Sequence, residues 1–304
     1  MSDLAPILAR LGALLGAHGE PQALDGGITN RNFKVAFGGA EYVVRMPGRD
    51  TELLGIDRHS EWAATCAAAK IGVGPPTAAM FDQPPCLVTR FVEGQPVEAA
   101  DLRAPEAIGA VAASLRQMHD SGTQLPAAFS SFDVVEQYAR LGRSRDVWAP
   151  DGYRDALRRA HQVKAALKGP EHAPVPCHND LLATNFIRCN GGFCIVDWEY
   201  AGMGDRYFDL GNFAVNNELD AAAEEVLLDA YFGEPPTPAR RGALRLMRFM
   251  SDFREGMWGV VQSAISELDF DFRGYAATHF ERLAKASADP GFDRSLKEAR
   301  AARA

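Results

Sequence analysis

Residues 178 to 199 read HNDLLATNFIRCNGGFCIVDWE, and this segment combines a short hairpin with closely spaced carboxylate and amide side chains. Its two β-rich runs, 185–188 and 192–196, are separated by Cys-Asn-Gly, and Asn-Gly between such runs is a strong hairpin signal. Asp180 lies before the hairpin and Asp197 directly after it. The hairpin is therefore expected to bring these two carboxylates close together.

The side chains around the hairpin are oxygen ligands of the kind that a hard cation prefers. Magnesium takes few protein ligands and leaves positions for water and phosphate oxygens. The amide of Asn185 and the carboxylate of Asp197, with Asp180 nearby, suit a nucleotide-bound Mg²⁺ better than a closed protein cage. Glu199 could hold a second ion, although alternate residues of a strand point to opposite faces. The alternative, that these residues only form turns and caps, would leave their spacing to coincidence.

Short β-rich runs separated by glycines fill the N-terminal part of the chain. They predict antiparallel strands at 23–24, 32–37 and 41–46, a helix over 57–71, and two more strands at 77–81 and 86–91. The first 16 residues predict an amphipathic helix and not a secretion signal, because Arg10 lies inside the apolar stretch. This part of the chain is therefore expected to form a small lobe around a five-stranded antiparallel sheet plus a helix.

Helical apolar spacing dominates after a break at residues 92–96. It predicts helices at 105–119, 132–141, 151–167, 220–232 and from 238 to about 268. The shift places a lobe boundary near residue 94, with one domain at 1–94 and a second at 95–304. The fold class is therefore predicted to be α+β, with a larger and mainly helical second lobe whose charged tail, 295–304, frays.

Composition excludes several classes of protein. Of 304 residues, 32 are Lys or Arg and 40 are Asp or Glu, a net charge of −8, whereas nucleic-acid binding rests on clustered basic residues. No apolar run reaches the roughly 18 residues needed to cross a bilayer. Five cysteines without a Cys-x-x-Cys pair predict neither a disulfide framework nor a zinc site. We expect a cytoplasmic chain with no nucleic-acid partner and no membrane span, and a homodimer is compatible with it.

The spacing of His-x-Asp, Asn and a later Asp is also that of protein-kinase-like phosphotransferases. The chain resembles the choline/ethanolamine kinase branch of the aminoglycoside phosphotransferase superfamily in three segments, 178–187, 195–202 and 208–212. The resemblance implies a two-lobed protein-kinase-like fold and a kinase that uses ATP and Mg²⁺ to phosphorylate the hydroxyl of choline or ethanolamine. An aminoglycoside, thiamine or a methylthio-sugar are alternative acceptors. A catalytically silent nucleotide-binding protein is the alternative from another class.

The resemblance also implies roles for the residues of the hairpin region. Asp180 would orient the acceptor hydroxyl as the catalytic residue, and Asn185 and Asp197 would hold the metal, with Glu199 as a further candidate. The side chain of His178 is expected to pack and to hydrogen-bond the catalytic loop. Asp209 is expected to support the backbone of that loop.

The small lobe would hold the nucleotide. Its glycine turn over the phosphates would contribute Gly27, Thr29 and Asn30, since glycine allows close backbone approach to an anion. Arg45, on the third strand, would contact phosphate through its planar fork. Glu61 is its expected ion-pair partner, with Glu52 as the alternative. Two further nucleotide-binding candidates lie near the lobe boundary, Phe91 and Glu93.

The acceptor pocket is expected on the last long helix. Glu255, Trp258 and Gln262 share one helical face, and a cationic acceptor requires an aromatic wall and a carboxylate. The wall would be Trp258 with Tyr275, and the carboxylate candidates are Glu255, Asp269 and Asp271. The segment resembles the choline pocket of choline kinases, but it has Glu255 where a second Trp is common and Asn216 and Asn217 where an acidic residue is expected. One ring and an extra carboxylate favour a smaller or primary amine, and the alternative is that Trp258 is a core residue.

Overall fold

The computed structural model describes residues 4–24, 30–148, 150–189 and 192–301. Its small lobe contains α1 (Leu4–Leu15), β1 (Gln22–Leu24), β2 (Asn30–Phe37), β3 (Ala40–Pro47), α2 (Arg58–Lys70), β4 (Thr77–Asp82) and β5 (Pro85–Arg90). The strands form one antiparallel sheet in the order β1-β2-β3-β5-β4. The predicted five-stranded sheet with a helix is therefore confirmed.

The sheet has its own apolar core beneath α1. Ile7 and Leu11 of α1 are fully buried against Val35 of β2 and Val44 of β3. The alternation of buried and exposed residues along β2 and β3 is what a sheet covered on one face requires. The predicted N-terminal amphipathic helix therefore covers one face of the small-lobe sheet.

Helix α2 belongs by sequence to the small lobe but packs into the core of the large one. Asp57 caps its N-terminus by accepting a hydrogen bond from the backbone N–H of Ser60, at 2.7 Å. Ala64 and Ala68, fully buried, join the large apolar core. The division into domains 1–94 and 95–304 therefore remains a proposal, since the two lobes share this helix as a contact surface.

The large lobe is mainly helical. Its elements are α3 (Pro105–His119), α4 (Ser131–Ser144), α5 (Tyr153–Ala166), β6 (Val175–Cys177), β7 (Phe186–Cys189), β8 (Gly192–Ile195), β9 (Gly202–Gly204), α6 (Arg206–Asn216), α7 (Ala221–Phe232), α8 (Pro238–Ile265), α9 (Phe272–Ala288) and α10 (Pro290–Ala301). The 28-residue α8 is its central helix, buried on nearly all sides between residues 242 and 262. The expectation of a frayed tail was wrong, because α10 buries Phe292, Leu296 and Ala299 in the core.

At two glycines, Gly211 and Gly94, the backbone lies very close to a neighbouring segment of the chain. Gly211 of α6 lies against α8 so tightly that a Cβ atom there would come within 2.8 Å of the α8 backbone. Gly94, at the lobe boundary, has a φ of 152°, and a Cβ atom there would collide with the carbonyl oxygen of Arg188 on β7. The connection between the lobes is therefore pressed against the predicted hairpin, β7–β8. Among the described residues, no helix is both long and apolar enough to span a membrane.

Candidate active site

The catalytic loop that follows β6 is supported from below by one buried carboxylate. Asp209 of α6 accepts hydrogen bonds from the backbone N–H groups of His178, at 2.8 Å, and Asn179, at 2.7 Å. The ring of His119 contacts the same carboxylate at 3.0 Å. Asn179 has a φ of 68°, a left-handed conformation that a non-glycine residue adopts only with support. The arrangement agrees with the expected role of Asp209.

His178 links the loop to the far end of the hairpin. Its Nε2 donates to the carbonyl oxygen of Val196, at 2.9 Å, and its Nδ1 accepts from the backbone N–H of Asp180, at 3.2 Å. The ring packs edge-on against Trp198, with centroids 4.6 Å apart. Burial lowers the pKa of His178 and favours the neutral ring that these two bonds require. The side chain positions the loop and does not face a reacting group.

Asp180 lies at the tip of this loop with its carboxylate buried beside a cation. Burial raises the pKa of Asp180 to about 7, in spite of the opposing charge of Arg254, and the nearby carboxylates of Glu255 and Asp197 raise it further. The Nη1 atom of Arg254 lies 3.2 Å from Asp180 Oδ1. A carboxylate with a pKa near neutrality is suited to accept a proton from a hydroxyl.

The two predicted metal ligands converge at the hairpin. The Nδ2 of Asn185 donates to the backbone oxygen of Asp180, at 2.8 Å, and this bond turns the amide oxygen away from the loop. Asp197, with a φ of 68°, follows β8 and lines the same cleft as Asn185. One amide oxygen and one carboxylate on one cleft wall fit Mg²⁺, which keeps its remaining positions for water and phosphate.

Arg45 joins this group from the small lobe. Its Nη1 contacts Asp197 Oδ1 and lies 3.0 Å from Oε1 of Glu61, so Glu61, and not the exposed Glu52, is its partner. Burial alone would lower the pKa of Arg45, but the charges of Asp197 and Glu61 raise it well above its usual value. Burial likewise would raise the pKa of Asp197, and the charge of Arg45 outweighs burial and holds it below its usual range.

Glu199 is already engaged by two small-lobe side chains. Asn30 donates to its Oε2 at 2.8 Å, and Arg58 lies 3.3 Å from the same oxygen. Arg58 also pairs with Glu61, at 2.6 Å. A role for Glu199 at a second metal ion stays a prediction, whereas its contacts with Asn30 and Arg58 link the two lobes.

A cleft of about 410 Å³ opens between the lobes beside these residues. The predicted residues Arg45, Glu61, Phe91, Asn185 and Asp197 line it. Sequence reasoning missed the apolar lining, which comes from Leu24, Val43, Leu87, Ile187 and Val196. The alternation along β3 was the available signal for Val43, because it identifies which residues of that strand face the cleft. Its size suits a nucleotide, since small-molecule pockets measure roughly 300–1,000 Å³.

Three nucleotide-binding predictions are not placed in this cleft. Gly27 and Thr29 lie outside the described residues. Glu93 is exposed, next to the cleft-lining Val92 and Gly94 but not among the lining residues. Their roles stay predictions.

The predicted acceptor residues fall into two groups. Glu255, Trp258 and Tyr275 are brought together, with Trp258 and Tyr275 ring centroids 5.7 Å apart, and Gln262 is buried on the same helix as Glu255 and Trp258. The hydroxyl of Tyr275 donates to Glu255, at 2.8 Å. Asp269, by contrast, is exposed, and its role stays a prediction.

Two further candidates from the sequence have structural roles. Asp271 accepts from the backbone N–H of Gly274 as the N-cap of α9, at 2.9 Å. Asn217 is buried and donates to the backbone oxygen of Phe213, at 2.9 Å. Neither contact requires a ligand.

Sequence reasoning missed a buried cation that contacts the predicted acceptor residue Glu255. Arg254 of α8 is 2% exposed, its Nη1 contacts Asp180 and Glu255, and its guanidinium lies 4.3 Å from the centre of the Tyr200 ring. Burial would raise the pKa of Glu255, and the charge of Arg254 outweighs it and lowers that pKa. Glu255, which was predicted to bind the amine of the acceptor, is therefore already paired with the buried guanidinium of Arg254.

Comparison with known proteins identifies the family. A model of the phosphotransferase enzyme family (APH) matches residues 20–244. The solved structure of a choline/ethanolamine kinase family protein from Mesorhizobium loti is 32% identical in sequence, with a TM-score of 0.85 over 98% of both chains. The chain belongs to the choline/ethanolamine kinase branch of this phosphotransferase family. The predicted two-lobed protein-kinase-like fold and the prediction of a small-molecule kinase are confirmed at the level of this family.

Other relatives agree. Ethanolamine kinase 2 of Homo sapiens is 28% identical over 271 residues, which cover 80% of this chain and 69% of that protein. Protein LicA of Haemophilus influenzae is 27% identical over 220 residues, and the match spans 71% of this chain but 64% of that relative, a little under two thirds of its length. The choline kinase LicA from Streptococcus pneumoniae, 21% identical, shares the fold, with a TM-score of 0.80 over 95% of this chain and 99% of that one. These relatives agree with the assignment of the chain to the phosphotransferase family.

Proposed function

We propose that this protein transfers the γ-phosphoryl group of ATP to the hydroxyl of a small amino alcohol, with choline and ethanolamine as the first acceptors to test. One observation carries the proposal: Asn185 and Asp197 of the large lobe and Arg45 of the small lobe line a single interlobe cleft, and the Nδ2 of Asn185 donates to the backbone oxygen of Asp180. This set contains a proton acceptor, a metal-binding pair and a phosphate-binding cation. Each is a component that phosphoryl transfer requires.

The nucleotide would lie in the interlobe cleft. Its base would be enclosed by the apolar residues of β3 and β5, with Phe91 at the lobe boundary. Arg45 would move from Asp197 to the phosphates, because its guanidinium presents several donors in one plane. Glu61 would hold Arg45 during this exchange, and the ion pair at 3.0 Å supports that role.

Mg²⁺ would bind through Asn185 and Asp197 and bridge the ATP phosphates. When bound, the ion neutralises charge on the phosphate oxygens. The lowered pKa of Asp197 keeps this carboxylate ionised at neutral pH and supports the assignment. The amide oxygen of Asn185 adds a neutral ligand beside it.

The transfer step is direct. The acceptor oxygen forms a bond to the γ-phosphorus while the bond between that phosphorus and the bridging β–γ oxygen breaks, and ADP leaves with the bridging oxygen. The hydroxyl proton passes to Asp180, which the raised pKa of about 7 supports. No covalent enzyme intermediate is needed, because positioning and charge neutralisation supply most of this catalysis.

An ADP-release assay with Mg-ATP tests the proposal. The acceptors are choline, ethanolamine, their N-methylated intermediates, thiamine and one aminoglycoside. We expect turnover of an amino alcohol by the unmodified chain and at least about 100-fold slower turnover by Asp180→Asn, with Mg-ATP affinity retained in that variant. If Asp180→Asn instead loses Mg-ATP affinity, the residue acts on the donor side and the assigned role is wrong.

A further inference from the structure

Arg254 is a buried cation in contact with the carboxylate that is assigned to the acceptor hydroxyl. Its side chain is 2% exposed and does not line the interlobe cleft. Its Nη1 lies 3.2 Å from Oδ1 of Asp180 and also contacts Oε1 of Glu255. A side chain enclosed in this way acts on a reaction through its neighbours and not by contact with a substrate. The contact with Asp180 is therefore the one that matters for the reaction.

This contact distinguishes the two oxygens of the Asp180 carboxylate. Oδ1 accepts a hydrogen bond from Arg254. Oδ2 accepts none from the described residues and is not enclosed, since the side chain of Asp180 is 13% exposed. A group that takes a proton from a hydroxyl must lie within hydrogen-bond distance of it. Oδ2 is therefore the oxygen that remains available to an acceptor hydroxyl.

The carboxylate of Asp180 depends on Arg254 for its direction. The backbone of Asp180 is held by Asn185 and by the ring of His178, but its side chain has one hydrogen bond to the described residues, the one from Arg254. The carboxylate of Glu255 contacts the same guanidinium nitrogen. Two like charges thus share one cation, and they would repel each other without it because a buried site screens charge weakly. Arg254 is the group that keeps the Asp180 carboxylate in place.

Arg254 is itself held from several sides. Its guanidinium lies over the ring of Tyr200, 4.3 Å from the ring centre, where the face of the ring attracts a cation. Glu255, its second ionic partner, accepts a hydrogen bond from the hydroxyl of Tyr275, at 2.8 Å. The helix that carries Arg254 is buried on nearly all sides at this point. A side chain fixed in this way can hold its partner within the narrow tolerance that a reacting group requires.

We propose that Arg254 is a positioning residue for the phosphoryl transfer: its Nη1 holds Oδ1 of Asp180 and thereby turns Oδ2 toward the hydroxyl of the acceptor. Arg254 contacts no substrate in this assignment and keeps its own protons. The proton of the hydroxyl passes to Asp180 as described above. The inference rests on the proposed function, because it requires Asp180 to accept that proton.

The kinetics of Arg254→Met test the assignment, with Mg-ATP and the fastest acceptor of the ADP-release assay. We expect kcat to fall at least about tenfold, since a small misplacement of a reacting group has this effect, while the KM for Mg-ATP changes less than about twofold. Arg254→Lys keeps the charge but loses the planar fork, so its kcat should lie in between. Arg248→Met is the matched control, because Arg248 lies on the same helix and pairs with Glu224. Its kcat should match that of the unmodified chain.

Two results of this assay overturn the inference and leave the proposed function standing. One is a kcat of Arg254→Met that equals that of the control. The other is a KM for Mg-ATP that rises as much as kcat falls, because the whole site would then be disturbed.

A double-mutant cycle separates positioning from a purely structural role. If Arg254 acts through Asp180, Arg254→Met should change the residual kcat of Asp180→Asn by less than about twofold, because the group that it positions is already gone. A structural role would lower kcat by the same factor in both backgrounds, and that result refutes the assignment. If Arg254→Met fails to fold, the cycle is made with Arg254→Lys, which retains the buried charge. If the unmodified chain turns over no amino alcohol, the proposed function itself fails, and the inference fails with it.

Discussion

Replacing Asp209 by alanine is the most direct test of how the catalytic loop is held. The carboxylate is fully buried and accepts two backbone hydrogen bonds, from His178 and Asn179. Alanine would leave both N–H groups without an acceptor in the protein interior. The ring of His119 would lose its contact at 3.0 Å as well.

The magnitude follows from these contacts. Each buried donor left unpaired costs about 1–3 kcal/mol, so Asp209→Ala should lower the free energy of unfolding by about 2–6 kcal/mol. Total stabilities are typically about 5–15 kcal/mol, so the variant is expected to fold. Asp209→Asn keeps one acceptor oxygen and should lose roughly half as much. Turnover should fall in both variants, because the backbone that carries Asp180 is no longer fixed.

Urea denaturation measures the change in stability, and amide hydrogen exchange locates it. The amides of His178 and Asn179 should exchange faster in Asp209→Ala than in the unmodified chain. Asp229→Ala, at an exposed position on α7, is the control and should change stability by less than about 0.5 kcal/mol. A loss of under about 1 kcal/mol in Asp209→Ala, with these amides still protected, would refute the supporting role.

Three further predictions test other parts of the molecule. Arg45→Met should weaken Mg-ATP binding at least about tenfold in calorimetry, since charge-assisted contacts to phosphate are lost, and unchanged affinity would remove the residue from the nucleotide site. Asp57→Ala should remove the N-cap of α2 and lower the free energy of unfolding by about 1 kcal/mol near pH 7. Hydrogen bonds from Ser60 lower the pKa of Asp57 in the folded state, so this stabilisation is present above the unfolded pKa of about 3.9 and is lost as the pH falls through the folded pKa. The difference in melting temperature between the variant and the unmodified chain should therefore narrow toward acid pH, and a difference that widens would contradict the cap. Gly211→Ala should destabilise the fold by about 1–3 kcal/mol through collision with the α8 backbone, whereas Gly109→Ala, which meets nothing within 4 Å, should be neutral or stabilising in the same urea titration.

Much of the architecture was predictable because local patterns and tertiary packing agree. The alternation along β2 and β3 and the Asn-Gly signal before β8 each predict a strand without knowledge of the partner. The catalytic loop was also predictable, since its residues are close in sequence and the hairpin alone brings Asp180 toward Asp197. From the sequence, either Glu61 or Glu52 could pair with Arg45, and the structure shows Glu61 as the partner. The cap at Asp57 explains this pairing, because it starts α2 where Glu61 faces the sheet.

What the sequence did not predict depends on long-range burial. A basic residue in a helix is usually solvated, so the burial of Arg254 was not predicted, although Glu255 and Trp258 next to it were predicted as site residues. The available signal was that α8 is apolar on nearly all sides around it, as in Phe253 and Met257, which indicates a helix buried all round. The C-terminal helix was missed for a related reason, since Phe292 and Leu296 repeat at a helical spacing that the charged residues between them obscured.

The pairing of Asp197 and Glu199 with the small lobe has a consequence for the transfer of a phosphoryl group to water. Arg45, Asn30 and Arg58 all reach across the cleft to these two carboxylates. A cleft between two lobes opens by rotation about its connection, and opening here separates these small-lobe side chains from Asp197 and Glu199. In the proposed reaction, an open cleft would therefore hold the phosphate-binding Arg45 apart from the metal-binding Asp197, and phosphoryl transfer to water would be slow there until the lobes close.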